Sequence, residues 1–376
     1  MKRQLVAFAA AGLAAVSTAL PASAFTPQTA AAIHALSWLH AKQSADGTVA
    51  GNASRTEETV WGLIANHQAL ADFSTSGKTP IDSLQLHIAD EEKSAGNIGS
   101  LILAVSAAGL DPSSFAGRNL VQDLQCTYNA TSGAFNPQVF NDSLAILAIP
   151  SGQVPAKAVA WLKSQQNKDG GWPFTAGNGS DTNTTALALL ALKSANGLTV
   201  DVSAPALVYL KTEQRADSGG FQYSSESFVT DSDASSDSLV IEALLAIGQD
   251  PTSAAWSFGQ KNALTDLLSF QITSGGDVGA FSYARLGTDG AGSGDAFSTT
   301  QPLVALASTY LPVRATTGIL PSTCPPSAPT STSPTPAPTT GAPRVLARTG
   351  SSPLPPIALG FALTLLGWRL RRRHAR

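Results

Sequence analysis

Gln166-Asn167-Lys168-Asp169-Gly170-Gly171-Trp172 follows a helix-like run, Ala156 to Ser164, and the same design returns along the chain. Gln43 stands before Asp46 and Gly47, and Gln125 before Gly133 and Phe135. Gln214 stands before Asp217, Gly219, Gly220 and Phe221, and Gln271 before Gly279 and Phe281. Gln125 and Gln166 are 41 residues apart and Gln43 and Gln125 are 82 apart, so the spacing predicts one degenerate unit between the latter two, near Gln85. The resulting period, about 40 to 57 residues, is one in which a repeat holds a pair of helices.

Helix signals alternate with glycine-rich turns, and no stretch shows a convincing series of period-two strands. Leu101 to Leu110, Ala186 to Ala195, Leu239 to Ile247 and Pro302 to Thr309 are nearly all apolar, and a helix apolar all round is buried on every side. Val159 to Gln165 and Ala206 to Thr212 mix Lys and Gln with apolar residues, as an outer layer does. Each repeat therefore reads as an outer amphipathic helix, a Gln-Asp-Gly-Gly-aromatic turn and an inner buried helix.

The inner helices start alike: Asp181 with Thr184 and Thr185, Asp233 with Ser236 and Asp237, Asp295 with Ser298 and Thr299. An Asp at a helix start accepts from unpaired backbone N–H groups and faces the positive end of the dipole. The turn glycines permit the positive backbone angles of a sharp reversal. The glutamine has donors and an acceptor with which to bridge open helix ends, so the motif predicts a clasp between adjacent repeats.

Gln166 to Trp172 resembles the QW motif of the prenyltransferase and squalene-cyclase repeat, and residues from about 30 to 311 resemble that superfamily. The chain is similar to its secreted actinobacterial-type members and, more distantly, to the helical domain of cobalamin carriers. The Asp-containing helix starts and Ala107-Ala108-Gly109-Leu110-Asp111-Pro112 add to the likeness. The resemblance implies an all-α fold, an alpha/alpha toroid of about six helical hairpins over residues 25–320.

Cyclases of that superfamily protonate an alkene with an acid from an Asp-x-Asp-Asp motif, chemistry that needs clustered carboxyls. The nearest stretch here, Asp231-Ser232-Asp233-Ala234, lacks the adjacent final pair, and Asp237 lies four residues beyond Asp233. The zinc set of protein prenyltransferases is not matched either, since none of the five histidines lies near Cys126 in sequence. Cys126-Thr127-Tyr128-Asn129 is not the Cys-x-x-Gln of a thioester protein. A glycosidase would need two opposed carboxylates, which Asp181, Asp233, Asp237 and Asp295 could supply, although helix capping also accounts for them.

Aromatic pairs follow the turns: Trp172 and Phe174, Phe221 and Tyr223, Phe281 and Tyr283. The first of each pair reads as packing; Phe174, Tyr223 and Tyr283, with Asp181, Asp233 and Asp295, are the candidate ligand contacts at the rim of a central cavity.

The two ends carry separate signals. Residues 1–24 read as a secretory leader, with Lys2 and Arg3, an apolar run from Leu5 to Leu20, and Ala22-Ser23-Ala24 as cleavage site. Residues 321–345 are rich in Pro, Ser and Thr, which reads as a disordered, extended stalk. Leu346-Ala347-Arg348-Thr349-Gly350, the apolar segment 353–368 and an Arg-rich end resemble a cell-wall sorting signal of the class E sortase type. That resemblance implies cleavage between Thr349 and Gly350, with the sortase and a peptidoglycan precursor as partners. The apolar segment is short for a permanent helical span of ~20 residues and suits transient membrane insertion; a lasting membrane anchor is the alternative.

Net charge is −3 with 13% charged residues, which excludes an electrostatic nucleic-acid partner. Cys126 and Cys324, once exported, allow a disulfide, with two free thiols the other reading. No metal site and no cofactor are implied, apart from a cobalamin-like ligand. The leading functional expectation is a non-catalytic, cell-wall-anchored toroid that captures a small apolar or corrinoid-like ligand. An extracellular cyclase-, prenyltransferase- or glycosidase-like enzyme using Asp233 and Asp237, and a structural adhesion module, are the alternatives.

Overall fold

The computed structural model describes residues 25–89, 94–227, 230–321 and 324. The leader, the sorting signal, the apolar segment 353–368 and nearly all of the stalk lie outside the described residues. Among the described residues, no helix is long and apolar enough to cross a membrane.

Six helical hairpins follow one another. They are α1 (Thr29–Ala41) with α2 (Ala53–Ala65), α3 (Pro80–Leu86) with α4 (Ala95–Ala107), and α5 (Leu120–Thr127) with α6 (Val139–Leu147). Next come α7 (Ala156–Ser164) with α8 (Thr182–Ser194), α9 (Val200–Glu213) with α10 (Ala234–Ala246), and α11 (Ala263–Leu268) with α12 (Ala296–Thr300) and α13 (Pro302–Leu306). The sixth inner helix is broken at Pro302, which has no N–H to give to an α-helical ladder. The inner helices touch in the order α2, α4, α6, α8, α10, α13, and α13 returns to α2, closing the ring. Asn66 Nδ2 seals that last joint by donating to the Leu303 carbonyl at 2.8 Å, while Gly62 leaves room for the Leu303 side chain. The fold is the alpha/alpha toroid that the repeat implies, with Gln85 on α3 of the degenerate second repeat.

Every residue of α4 except Asn97 is buried, and only Asn183, Lys193 and Ser194 of α8 and Leu245 of α10 are not. The faces turned to the toroid axis are therefore packed, where the sequence suggested a central cavity.

The turn glutamines join neighbouring repeats. Gln166 Nε2 donates to the Gly170 carbonyl of its own turn at 2.8 Å and to Val202, in the first turn of α9, at 2.9 Å. Gln214 does the same with Gly219 and Trp256, and Gln271 with Gly279 and Ala31, the latter bond linking the last repeat to the first. Gln43 bonds Gly47 at 3.0 Å and reaches the Lys78 carbonyl at 3.4 Å. Two such bonds contribute about 1 to 3 kcal/mol per glutamine. Gln125 differs: it lies within α5 rather than after it, and its Oε1 is buried without a hydrogen-bond partner. In that repeat Lys157 Nζ makes the cross-repeat bond, to the Ala130 carbonyl at 3.1 Å. Gly170 has φ +95°, and a Cβ there would overlap the Pro205 carbonyl, so backbone angle and close approach both require glycine.

A second clasp was not foreseen from the sequence. Four residues after the N-cap of five inner helices, a side-chain oxygen accepts the backbone N–H of the turn aromatic or its equivalent. These pairs are Thr56 with Val49, Asp142 with Phe135, Thr185 with Trp172, Asp237 with Phe221 and Thr299 with Phe281, at 2.7 to 2.9 Å. The indole N–H of the wholly buried Trp172 donates to the Leu162 carbonyl at the end of α7, at 2.7 Å.

After α13 the chain becomes a strap across the end of the toroid where the inner helices finish. The Leu311 N–H donates to Glu242 Oε2 on α10 at 3.2 Å, and Arg314 lies against Gly109, just past α4. In the ring order α10 and α4 stand opposite each other, so the strap crosses the axis. Gln153, past α6, then holds the strap twice, donating to the Gly318 carbonyl at 3.0 Å and accepting from Leu320 N at 2.7 Å. Cys126 and Cys324 are joined in a disulfide, which fixes the end of the strap to α5.

Candidate functional site

Because each inner helix is the second arm of a hairpin, all six start at the same end of the toroid, opposite the strap. In two repeats the extended segment after the turn aromatic laps over the start of the preceding inner helix. The Phe174 carbonyl accepts from Val139 N, the first residue of α6, and the Tyr223 carbonyl from Thr182 N, the first residue of α8, both at 2.8 Å. These amides have no partner inside their helices, so the folding rule that satisfies them also sets the aromatic rings around the mouth. Phe174 stacks on Phe140 at 5.7 Å, Tyr283 is 55% exposed, and Phe297 is 43% exposed beneath the Arg55 guanidinium.

Asp181, Asp233 and Asp295 are the N-caps of α8, α10 and α12, each accepting from backbone N–H groups of the first turn. With the tyrosines they form an arc in which acid and phenol alternate: Asp181, Tyr223, Asp233, Tyr283, Asp295. The fields are mutual. Burial raises the Tyr223 pKa, with the charges of Asp181 and Asp233 adding to it, and burial with Asp233 and Asp295 does the same to Tyr283. Phe174, Asp181, Tyr223, Asp233, Tyr283 and Asp295 are thus brought to one mouth.

The three acids are not equivalent. Asp233 spends both oxygens on its cap, Oδ1 on the Ser235 and Ser236 amides and Oδ2 on the Ser236 hydroxyl. Asp181 uses Oδ1 for the Thr184 amide at 2.7 Å, and its carboxyl also faces the Tyr223 hydroxyl. Burial pushes Asp181 up to about 6, opposed by the Thr184 hydrogen bond, and its Oδ2 is buried without a hydrogen-bond partner.

Asp237 is not at the mouth. It turns outward into the wall, where its clasp oxygen and the carboxyl of Asp266 on α11 close around Gly220, whose missing Cβ makes the space. Asp266 is held by Arg285 at two points, Nη1 to Oδ1 at 2.7 Å and Nη2 to Oδ2 at 3.0 Å. Arg285 also donates to Ser269 at 2.9 Å and to Ser232. Burial first, and then the Asp266 charge, hold the Asp237 pKa well above the carboxylate range. Arg285 lines an open cavity of 480 Å³ with Leu268, Ser269, Gln271, Thr273 and Leu286. A second cavity, of 210 Å³, lies between α1, Leu63 of α2 and the loop after α2, around Ile33, Leu36, His40 and Phe73. Among the described residues, no group of three or more His, Cys, Asp or Glu is arranged to hold a metal ion.

Sequence reasoning missed Asp142, Asp266, Arg285, Phe140 and Phe297. Asp142 had a readable signal, since it stands at the offset that Thr185 and Asp237 occupy in their repeats. Asp266 and Arg285 had none, because they come from an outer helix and a late loop and meet Asp237 only through the fold.

Residues 9–234 match the family model of the squalene-hopene cyclase C-terminal domain. No curated protein sequence matches the chain significantly. Among solved structures, the type II terpene cyclase MstE from Scytonema, a single-site variant without ligand, is 14% identical with a TM-score of 0.52. The match covers 75% of this chain and 96% of that one. A protein from Actinoplanes is also 14% identical, with a TM-score of 0.51, covering 75% of this chain and 98% of that one. These likenesses show the fold, and the family match shows the lineage. Together they overturn the expectation of a non-catalytic, ligand-capturing module. That expectation took helix capping as the whole role of Asp181, Asp233 and Asp295, whereas Asp181 caps α8 with Oδ1 alone and burial raises its carboxyl.

Proposed function

The chain belongs to the family of the squalene-hopene cyclase C-terminal domain, and from that premise we propose that it is a terpene cyclase-like enzyme working by acid-initiated cyclisation of an isoprenoid alkene at the open mouth of the toroid. The observation that carries the reading is Asp181, a buried carboxyl raised to about 6, placed among aromatic faces and not consumed by its capping bond. An acid in that range keeps its proton near pH 6 and still gives it up.

In this reading the Asp181 O–H delivers its proton to one alkene carbon, and the alkene π electrons form the new C–H bond. The carbocation left on the other carbon is met by a second alkene of the same chain, whose π electrons form the C–C bond that closes the ring. Phe140, Phe174, Tyr223, Tyr283 and Phe297 surround the mouth with π faces, which attract positive charge without bonding to it. Asp233 and Asp295 add fixed negative potential. Loss of a proton from the final cation to the Asp181 carboxylate, directly or through the Tyr223 hydroxyl, restores the acid.

The proposal includes an extracellular location, supported by the leader-like residues 1–24, by the sorting-signal resemblance of Leu346, Ala347, Thr349 and Gly350, and by a disulfide, a bond that persists in oxidising compartments. On this reading sortase joins Thr349 to a peptidoglycan precursor. Mass spectrometry of wall-released protein ending at Thr349 tests it.

The activity test is incubation of the purified protein with acyclic isoprenoids of graded length, with gas chromatography and mass spectrometry of the products. Turnover is expected to vanish in Asp181→Asn with helix content retained, and to persist in Asp237→Asn. An unchanged rate in Asp181→Asn, or no cyclised product from any isoprenoid, removes the reading.

A further inference from the structure

The strap is a part of the molecule that the chemistry at the mouth leaves unused. Residues 311–321 lie across the far end of the toroid, and three different kinds of tie hold them. Glu242 lies one turn inside the C-terminal end of α10, so its bond to Leu311 N draws the strap below the rim rather than over it. Leu311 is buried there at 5% exposure, with Tyr310, Val313 and Leu320 packed on the core beside it. Gln153 presents its amide to the Gly318 carbonyl and the Leu320 N–H as a neighbouring strand would. Beyond these ties comes the disulfide from Cys324 to Cys126.

The ties differ in strength. Besides the apolar contacts, the strap keeps three hydrogen bonds to side chains, of which that from Gln153 to Gly318 is exposed and that from Leu320 to Gln153 part-buried, each contributing about 0.5 to 1.5 kcal/mol. Residues 311–321 carry no helix or sheet ladder. The disulfide closes a loop of 198 residues, and it keeps the strap end at high effective concentration beside Gln153, so that each local opening recloses.

We propose that residues 311–321 are a lid over the second mouth of the toroid, locked by the Cys126–Cys324 disulfide and released by a dithiol reductant. Release is a two-electron step. One thiolate of the dithiol attacks a sulfur of the bridge, the other cysteine leaves as thiolate and takes a proton, and the second thiol resolves the mixed disulfide. The products are Cys126 and Cys324 as thiols and the reductant as its own disulfide. With the lid docked, the ends of α4, α6 and α10 are covered at this end of the packed axis. With it released, those apolar helix ends are exposed to solvent. This inference stands apart from the proposed chemistry at Asp181 and survives its failure.

The test is limited trypsin digestion of the full chain, following cleavage after Arg314 by mass spectrometry, before and after treatment with dithiothreitol. Binding of an environment-sensitive apolar dye and far-ultraviolet circular dichroism are followed alongside. Cleavage is expected to rise at least tenfold on reduction and equally in Cys324→Ser, with dye binding increased and the helical signal unchanged. Adding Gln153→Ala to Cys324→Ser is expected to speed cleavage further. An unchanged cleavage rate after reduction overturns the proposal. So does a parallel loss of the helical signal in both the reduced protein and Cys324→Ser, which would make the bridge a staple of the whole fold.

Discussion

Replacing Asp142 by threonine is expected to make the protein more stable above neutral pH, because the clasp needs an oxygen and not a charge. Thr56, Thr185 and Thr299 hold the same place in their repeats and make the same bond to a turn amide. Asp142 is fully buried, with Oδ1 accepting from Phe135 N at 2.7 Å and Asn136 N at 3.2 Å while Oδ2 is without a hydrogen-bond partner. Burial therefore pushes its pKa from 3.8 up to about 7, against the pull of those two amides.

A carboxyl raised in this way binds its proton more tightly folded than unfolded. Its contribution is fully present below pH 3.8 and is lost progressively as pH rises to about 7. At about 1.36 kcal/mol per pH unit over that gap, the loss at pH 8 is about 4 kcal/mol. Threonine abolishes this loss and keeps the Phe135 bond, but leaves Asn136 N without its acceptor, at about 1 kcal/mol. The net expectation is a gain of about 3 kcal/mol at pH 8, a deficit of about 0.5 kcal/mol at pH 4 that approaches about 1 kcal/mol at lower pH, and a change of sign near pH 4.5. Urea unfolding of parent and variant across this range, with the slope m compared to verify that the same surface is exposed, measures the difference directly. A variant less stable than the parent at pH 8, or with the parent's full pH dependence, would refute the reasoning.

Three further outcomes follow from the clasps and the strap. Gln166→Ala, which removes both bonds to the Gly170 and Val202 carbonyls, is expected to cost about 1 to 3 kcal/mol, whereas Gln125→Ala, with no clasp to lose, stays within about 0.5 kcal/mol in the same denaturation assay. Gly170→Ala combines a positive φ with overlap on the Pro205 carbonyl and is expected to lose more than 2 kcal/mol, about 1 to 2 of it from the backbone angle alone. Glu242 is raised by burial from 4.5 to about 8, so its contribution is present below pH 4.5 and lost as pH rises to 8; Glu242→Gln keeps an acceptor for Leu311 N and is expected to flatten thermal stability over that range.

The repeat architecture was legible in the sequence for a local reason. A glutamine after an outer helix, a glycine with forced backbone geometry and an aromatic form a unit whose bonds run to main-chain atoms, so side-chain types at fixed offsets suffice to reveal it. The same holds for the caps Asp181, Asp233 and Asp295, which serve amides two or three residues away. Gln125 marks the limit of such reading: its spacing fits the pattern, but α5 continues past it and its Oε1 is buried without a hydrogen-bond partner.

What the sequence by itself determined is the layered helical ring and the arc of acids and phenols at helix starts, because hydrophobic period, glycine placement and capping act over a few residues. The tertiary structure alone decided that the axis is packed, that one mouth is crossed by the strap, and that Asp237 faces Asp266 and Arg285 in the wall while Asp181 faces Tyr223 at the open end. These outcomes depend on ring closure and on the burial of charge between residues tens to hundreds of positions apart. The free energy of a carboxyl is set by the atoms packed around it, and spacing along the chain carries no record of them.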